Sequence, residues 1–393
     1  MARSLQLPHS PGEAPAAEHE HDEVPPFGPL SWLLLLGRAT RITGHLALKA
    51  VSALSPSRRA GLSFHEYVAY EGLRDYQCGL GAVEVQHLLA PTTDTCRRYA
   101  RRRKMAFSEL RLPDGSVAAW LGPRKPERGV RVLLHGGGYM SPALAAHLDM
   151  GFGFAAGRQS PEAEAEAEGV AVVVLEYALA SERRNHYPKQ LRQAVSLLGH
   201  LVHVEKVPPA SMTLLGDSAG GHLLLGLLLH ISHPNPAVPS LAVQGRFAGA
   251  ALVSPWVELA NPSFASAEKE QGGSNQDIVT PYSLAYWARN LLGGAEADPW
   301  NSPLSAPREW WADLPVDELL VTYGGAELFR DDVARLAEVL RSEHPRMTTV
   351  AACEGEIHVH MVMNRFLKLR KPCRSEEAFV SWLVRRSEVR PGG

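Results

Sequence analysis

A serine flanked by glycines lies between an apolar run of strand length, Met212 to Leu215, and a leucine-rich run of helical length, Ala219 to Ser232. The five residues Gly216-Asp217-Ser218-Ala219-Gly220 form a G-x-S-x-G pentapeptide, and strand-turn-helix is the setting such a nucleophile elbow requires. The constraint is steric. A turn this tight strains the serine backbone, and only small residues two before and two after it avoid the adjoining strand and helix. The hydroxyl then stands at the C-terminal edge of a sheet. The first N–H groups of the helix point at the same spot and favour a developing oxyanion there. Taken alone the pentapeptide also reads as a Gly-rich turn; the flanking strand and helix, with Gly221 as a sixth residue, favour the functional reading.

The chain from about residue 105 alternates short β-rich runs with helical patterns, which predicts an α/β fold: a mostly parallel central sheet with helices on both faces. An antiparallel hairpin is expected over Ala106 to Gly122, with Asp114-Gly115 at its turn. Buried parallel strands are expected at Val130–Leu134, Val170–Leu175, Met212–Leu215, Ala248–Val253, Leu319–Thr322 and Met347–Ala352. Helices are expected at Lys189–Val204, Ala219–Ser232 and Asp331–Ser342, the last from Val333, Leu336, Ala337 and Leu340 at helical spacing. The AEAEAEAE stretch near residue 165 has charge at every second position and reads as a solvated loop or helix extension.

Straight after the Val130–Leu134 run stands His135-Gly136-Gly137-Gly138-Tyr139. Three consecutive glycines let the backbone turn sharply and leave its N–H groups unshielded. A phosphate-cradling loop would also be glycine-rich, but no Lys-Ser/Thr pair follows and no G-x-G-x-x-G is completed. The segment is therefore assigned to an oxyanion hole.

At 393 residues and 45% hydrophobic content the chain can bury a large core. Its 40 Lys and Arg against 42 Asp and Glu leave a formal charge of -2, which offers no global attraction for nucleic acid or for an anionic membrane. The basic run Cys96 to Lys104 carries a single aromatic, Tyr99, has no second basic cluster to support it, and reads as a solvated helix face or linker rather than an anion-binding patch. Cys78, Cys96, Cys353 and Cys373 form no C-x-x-C pair, and no metal or other cofactor is expected; a reducing, cytoplasmic location fits this usage.

Residues 1–26 are rich in Pro, Ala and acid and read as a disordered leader. The apolar block Trp32 to Leu36 follows, but Arg38 and Arg41 interrupt it, and it falls short of the ~20 apolar residues a spanning helix needs. It also begins too late, behind acidic residues, for a signal peptide. Two readings stand: an amphipathic helix that covers the core, or peripheral membrane contact through residues 30–54.

The His135–Gly138 loop, the Gly216–Gly221 elbow and their order resemble the hormone-sensitive-lipase-like branch of the α/β-hydrolase superfamily, which includes fungal and microbial carboxylesterases and deacetylases. Glu176-Tyr177-Ala178-Leu179-Ala180 with Tyr187-Pro188 is similar to that branch's Y-x-L-A-P-E-x-x-x-P segment, with Ser181 in place of the first proline. Asp298 to Pro315 is similar to its D-P-x-x-S-P-L stretch, and the likeness spans about residues 105 to 385. It implies a helical cap over 27–104, a first core part over 105–255, a lid insertion over 256–315 and a second core part over 316–386.

On this fold the triad runs in the order Ser, acid, His. The resemblance implies Ser218 as nucleophile, Glu327 where the branch carries its catalytic Asp, and His358 from the G-x-x-H spacing counted from Gly355. Asp331 is the alternative acid, and Asp332 beside it reads with Asp331 as acidic residues at a helix N-terminus. His360 reads as a pocket or packing residue. The implied oxyanion hole is formed by the N–H groups of Gly137, Gly138 and Ala219, supported by His135 and Asp217. The aromatic residues of the insertion, Trp256, Phe264, Tyr282, Tyr286, Trp287, Trp300, Trp310 and Trp311, suit either an apolar substrate group or lid packing.

The implied activity is a serine hydrolase or deacetylase that cleaves a small to medium hydrophobic ester through an acyl-enzyme, in lipid or fungal secondary metabolism. A small-molecule ester is the expected partner, and the oligomeric state is not legible. Two alternatives use the same scaffold: release or cyclisation of a polyketide-type intermediate, and an inactive ligand-binding or scaffold protein.

Overall fold

The computed structural model describes residues 26–59, 61–125, 129–154, 169–260, 277–369 and 371–388. The leader up to residue 25, the alternating Ala-Glu stretch and Phe264 lie outside them. Eight strands form one sheet: β1 (Phe107–Arg111), β2 (Val117–Leu121), β3 (Val130–Leu134), β4 (Ala171–Glu176), β5 (Met212–Asp217), β6 (Gly249–Val253), β7 (Leu319–Gly324) and β8 (Thr348–Cys353). Their order is β1-β2-β4-β3-β5-β6-β7-β8. The β1-β2-β4 pairs are antiparallel and every pair from β4 to β8 is parallel.

The strands form where apolar runs have helices to cover both faces, so β3 and β5 are buried along their whole length. Removing a core leucine such as Leu214 or Leu215 by truncation to alanine would cost about 2–5 kcal/mol. β8 departs from the expected buried run. It pairs only with β7, and its residues are mostly half-exposed or exposed, because an edge strand loses one neighbour and part of its cover.

Eleven helices flank the sheet among the described residues: α1 (Pro29–Ser52), α2 (Phe64–Gly79), α3 (Ala82–Leu88), α4 (Thr92–Arg103), α5 (Ala145–Gly151), α6 (Lys189–His203), α7 (Ala219–Ser232), α8 (Pro281–Leu292), α9 (Arg330–Glu343), α10 (His360–Phe366) and α11 (Arg374–Glu388). The helices expected at Lys189, Ala219 and Asp331 are α6, α7 and α9, each within a residue of the expected bounds. α6 packs on α7, which covers β3, β5 and β6; α4, α5, α10 and α11 pack in sequence elsewhere on the sheet. The basic run becomes α4, which buries Cys96, Tyr99 and Ala100 while Arg97 pairs with Asp94 and Glu109 and Arg103 with Asp149. It is a paired, solvated helix face.

Register decides what meets at the sheet's C-terminal edge. Leu134 pairs with Gly216, so the glycine loop after β3 emerges beside the elbow after β5. Asp217 pairs with Val253, and Val253 with Thr322, which brings the ends of β6 and β7 to the same edge. No helix among the described residues is long and apolar enough to cross a membrane.

Candidate active site

Ser218 caps α7 with φ 50 and ψ -119, a conformation that costs a non-glycine residue energy and is held here by the fold. Its neighbours explain the small residues: a Cβ on Gly220 would lie 1.9 Å from the carbonyl oxygen of Leu134. The backbone N–H of Ser218 donates to Val253 at 2.9 Å, and its carbonyl accepts from Trp256 at 3.1 Å. The turn is thus tied on both sides to the end of β6.

His358 Nε2 stands 2.8 Å from Ser218 Oγ, the reach needed for proton transfer. On the far side of the ring, Nδ1 lies 3.4 Å from Glu327 Oε2, and both side chains are almost wholly buried. At that separation the contact is a charge interaction rather than a well-formed hydrogen bond. Burial opposes the imidazolium, but Glu327, then the charges of Asp277 and Asp217, outweigh it and raise the His358 pKa above its ordinary value. Asp331 sits in the first turn of α9 and pairs with Arg330. It is Glu327, on the loop between β7 and α9, whose carboxylate faces the imidazole.

The glycine loop is built on hydrogen bonds whose directions fix a tautomer. The N–H of Ala143 donates to Thr92 Oγ1 at 3.0 Å, the Thr92 hydroxyl donates to His135 Nε2 at 3.2 Å, and His135 Nδ1 donates to the Gly136 carbonyl at 2.8 Å. Burial pushes the His135 pKa down to about 3, so the ring is neutral, as that chain requires. At the loop's other end the Tyr139 hydroxyl donates to His222 Nδ1, and His222 Nε2 donates to Asn301 at 2.9 Å. Gly138 has φ 61, and a Cβ there would lie 2.5 Å from the Trp287 ring. The Trp287 indole therefore packs closely against the Gly138 backbone, and both line the same cavity as Ser218. The N–H of Ala219, at the first position of α7, has no carbonyl a turn behind it and is one of the open donors of a helix start.

Asp217 is buried, with Oδ1 accepting from the Gly136 N–H at 2.9 Å and Oδ2 3.3 Å from His147 Nε2. Burial opposes its charge, but His147 and that amide outweigh the penalty and hold its pKa below the usual carboxylate value.

Two residues that matter here were not singled out from the sequence. Asp277, fully buried ahead of α8, accepts from His358 N–H and from Leu328 N–H, each at 2.9 Å, and so links the histidine loop to the acid loop. Burial, with Glu327 nearby, pushes its pKa up to about 6 although His358 and the two amides pull it down. Ser254 accepts the Val359 N–H at 3.1 Å and so braces a valine held at φ 46. A lone Asp in a loop carries no sequence signal; its partners lie 51 and 81 residues away.

A cavity of about 390 Å³ opens beside Ser218 and His358. Its walls are mainly apolar, with Leu73 and Tyr76 from α2, Leu88 and Leu89, Trp287 from α8, and Met363 and Phe366 from α10; Gly137 and Gly138 line it too. Of the two readings left open for the aromatic insertion, packing fits most of its described residues. Among the described residues of that group only Trp287 lines the cavity; Trp256 and Trp311 are in the core, and Tyr282 is exposed. Trp300 Nε1 donates to the His233 backbone carbonyl at 2.9 Å, and Trp310 stacks on the His233 ring, because large aromatics bury more area against the fold than over an open cavity.

His360 is buried away from that lining, within a group of Glu356, His360 and Cys373 whose ligand atoms lie within 4.8 Å of one another. These are the described residues that could hold a metal ion. Glu356 Oε1 already accepts the Arg374 N–H at 2.6 Å at the start of α11, and the cavity does not reach them.

Residues 131–362 match the family described as the alpha/beta hydrolase fold. An acetyl-hydrolase of Streptomyces hygroscopicus is 28% identical over 247 residues, covering 60% of this chain and 72% of that protein. A Schizosaccharomyces pombe (strain 972) protein named as a steryl acetyl hydrolase is 25% identical over 170 residues, 42% of each chain. Among solved structures, an esterase/lipase from an uncultured bacterium superposes with a TM-score of 0.55 at 21% identity, covering 88% of this chain and 98% of that one. Carboxyl esterase 2 of the mycorrhizal fungus Tuber melanosporum gives 0.55 at 21% identity over 72% of this chain and 87% of that one.

Proposed function

The chain belongs to the alpha/beta hydrolase fold family, and on that footing we propose that it is a serine hydrolase that removes a short acyl group, acetyl foremost, from an ester of a hydrophobic alcohol. The observation that carries this reading is the 2.8 Å approach of His358 Nε2 to Ser218 Oγ at the floor of an apolar cavity, with Glu327 behind the ring.

The chemistry follows from the geometry. Ser218 Oγ attacks the ester carbonyl carbon while its proton passes to His358 Nε2. The carbonyl oxygen becomes an oxyanion, with the N–H groups of Gly137, Gly138 and Ala219 as its donors. Collapse breaks the bond to the alcohol, which leaves with the proton from His358. Water then attacks the acyl-Ser218 ester, His358 takes its proton, and the second collapse frees the acid and returns the proton to the serine. Glu327 supports the positive charge that His358 carries in each transition state.

Support for an acetyl or similarly short acyl group comes from the names of the two relatives, and for a hydrophobic alcohol from the leucine, tryptophan and phenylalanine walls of the cavity. A 390 Å³ space suits a small to medium ester.

The test is a p-nitrophenyl acyl series from acetate upward on wild type and Ser218→Ala. The expected result is a preference for short chains and a loss in the variant on the order of 10³-fold or more. Fluorophosphonate labelling should reach wild type and spare the variant. A variant that keeps its turnover would overturn the reading, and cyclised products in place of free acid would redirect it.

A further inference from the structure

α1 is amphipathic the wrong way round for a helix facing only water. Two of its cations are held against the protein, Arg38 by Glu84 of α3 at 2.7 Å and Lys49 by Asp75 at 3.1 Å and by Glu71, both on α2; His45 Nδ1 lies 2.9 Å from Asp75, and Arg41 is exposed. Its large apolar side chains turn outward, with Leu30 67% exposed, Leu33 65%, Leu48 71%, Val51 67% and, just past the helix, Leu54 72%. These positions, with Leu34, Gly37, Gly44 and Ala47, recur at spacings of three and four except between Gly37 and Gly44, where the exposed Arg41 takes the intervening place, and they form one stripe along the helix. Its inward face packs in a small cluster separate from the main core, where Leu35 joins Leu80 and Val85 with Phe27, Ile42, Tyr76 and Leu89 against them. A patch this long and this exposed marks a contact surface.

We propose that this face of α1 lies on the surface of a lipid bilayer with anionic headgroups, the helix in the interface plane. Three observations choose that occupant. First, the segment from Pro29 to Arg59 holds no acidic residue and Arg41 stands exposed within the apolar stripe, which complements anionic lipid and would set like charges against each other in a pairing of two such helices. Second, no described helix is long and apolar enough to cross a bilayer, which limits contact through α1 to the interface plane. Third, the stripe is continuous with the rim of the catalytic cavity. Gln77 walls both that cavity and the groove that holds Leu33 and Leu34, and the rim residues Leu88 and Phe366 are themselves 48% and 43% exposed. The leader cannot supply the cover, since residues 1–25 are rich in Pro, Ala and acid and poor in large apolar side chains. If the proposed esterase reading holds, its ester is taken from the lipid phase; membrane contact itself does not rest on that reading.

The test uses the full chain as its Ser218→Ala variant, so that binding is measured apart from hydrolysis, with phosphatidylcholine vesicles containing or lacking phosphatidylserine. Co-sedimentation should be clear with phosphatidylserine, weaker in its absence and reduced by salt. A Leu30→Glu/Leu48→Glu double variant should lose at least tenfold in vesicle affinity. In the Ser218 background the same pair of changes should leave hydrolysis of a soluble p-nitrophenyl acetate within twofold, which also shows that the variant folds. Absence of wild-type sedimentation, or equal binding by the double variant, would overturn the proposal. So would light scattering that shows a dimer abolished by the two changes with no vesicle binding, since the stripe would then join two copies.

Discussion

The carboxylate of Asp277 accepts the backbone N–H of His358 at 2.9 Å with one oxygen and that of Leu328 at 2.9 Å with the other. One side chain from ahead of α8 thus holds the histidine and acid loops in a single frame, and the distance between Glu327 and the imidazole depends on it.

Asp277→Asn should therefore impair turnover more than binding. The amide can accept one N–H but must set its own donors against the other. A fall in kcat of about 10- to 100-fold with little change in KM is expected, since small misplacements at a reacting centre have costs of that size. Asp277 also helps raise the His358 pKa, so the acid limb of the kcat/KM profile should move to lower pH. A uniform loss of folded protein with no shift of the limb would mark the residue as structural only.

Glu327→Gln removes the charge that most raises the imidazole pKa. His358 must be neutral to accept the serine proton, so wild-type activity should fall as pH drops through a value above the ordinary 6.5. The variant should lose on the order of 10²- to 10⁴-fold in kcat and titrate at lower pH. A profile measured from pH 5 to 9 on a chromogenic ester checks both, and an unmoved limb would place the controlling charge elsewhere.

Gly138→Ala would put a methyl 2.5 Å from the Trp287 ring at a residue with φ 61. The backbone strain alone costs about 1–2 kcal/mol. Activity should fall at least tenfold, and part should return in Gly138→Ala/Trp287→Ala, because the second change removes the clash but not the strain. Strictly additive effects in that double-mutant cycle would show that the indole does not press on the loop.

Asp217→Ala leaves the buried Gly136 N–H without its acceptor, a loss of about 1–3 kcal/mol in unfolding free energy. Asp217→Asn keeps an acceptor for that amide and should lose less. Because the folded-state pKa of Asp217 lies below its unfolded value, its stabilising share is fully present above the unfolded pKa and is lost as pH falls through the folded one. The stability gap between wild type and Ala variant should narrow in acid, with a remainder from the hydrogen bond that the protonated carboxyl still accepts; a constant gap from pH 7 down to pH 2 would contradict the assignment.

What the sequence determined on its own was local. An apolar run meeting Gly216-Asp217-Ser218-Ala219-Gly220 already specifies a strand, a bend and a helix, because steric exclusion at Gly220 acts over a few residues. The same holds for the strands, whose double-sided burial appears as unbroken apolar runs. The geometry beyond those limits was decided by tertiary structure. Register between β3 and β5 put His135 beside Asp217, and chain folding placed Asp277 against two amides far along the sequence. Packing drew most of the described aromatic residues of the insertion away from the cavity, and it set Arg38 and Lys49 of α1 against carboxylates of α3 and α2. A hydrogen bond or an ion pair depends on distances of about 3 Å between groups that composition and periodicity leave unplaced, so only the folded chain could assign those partners.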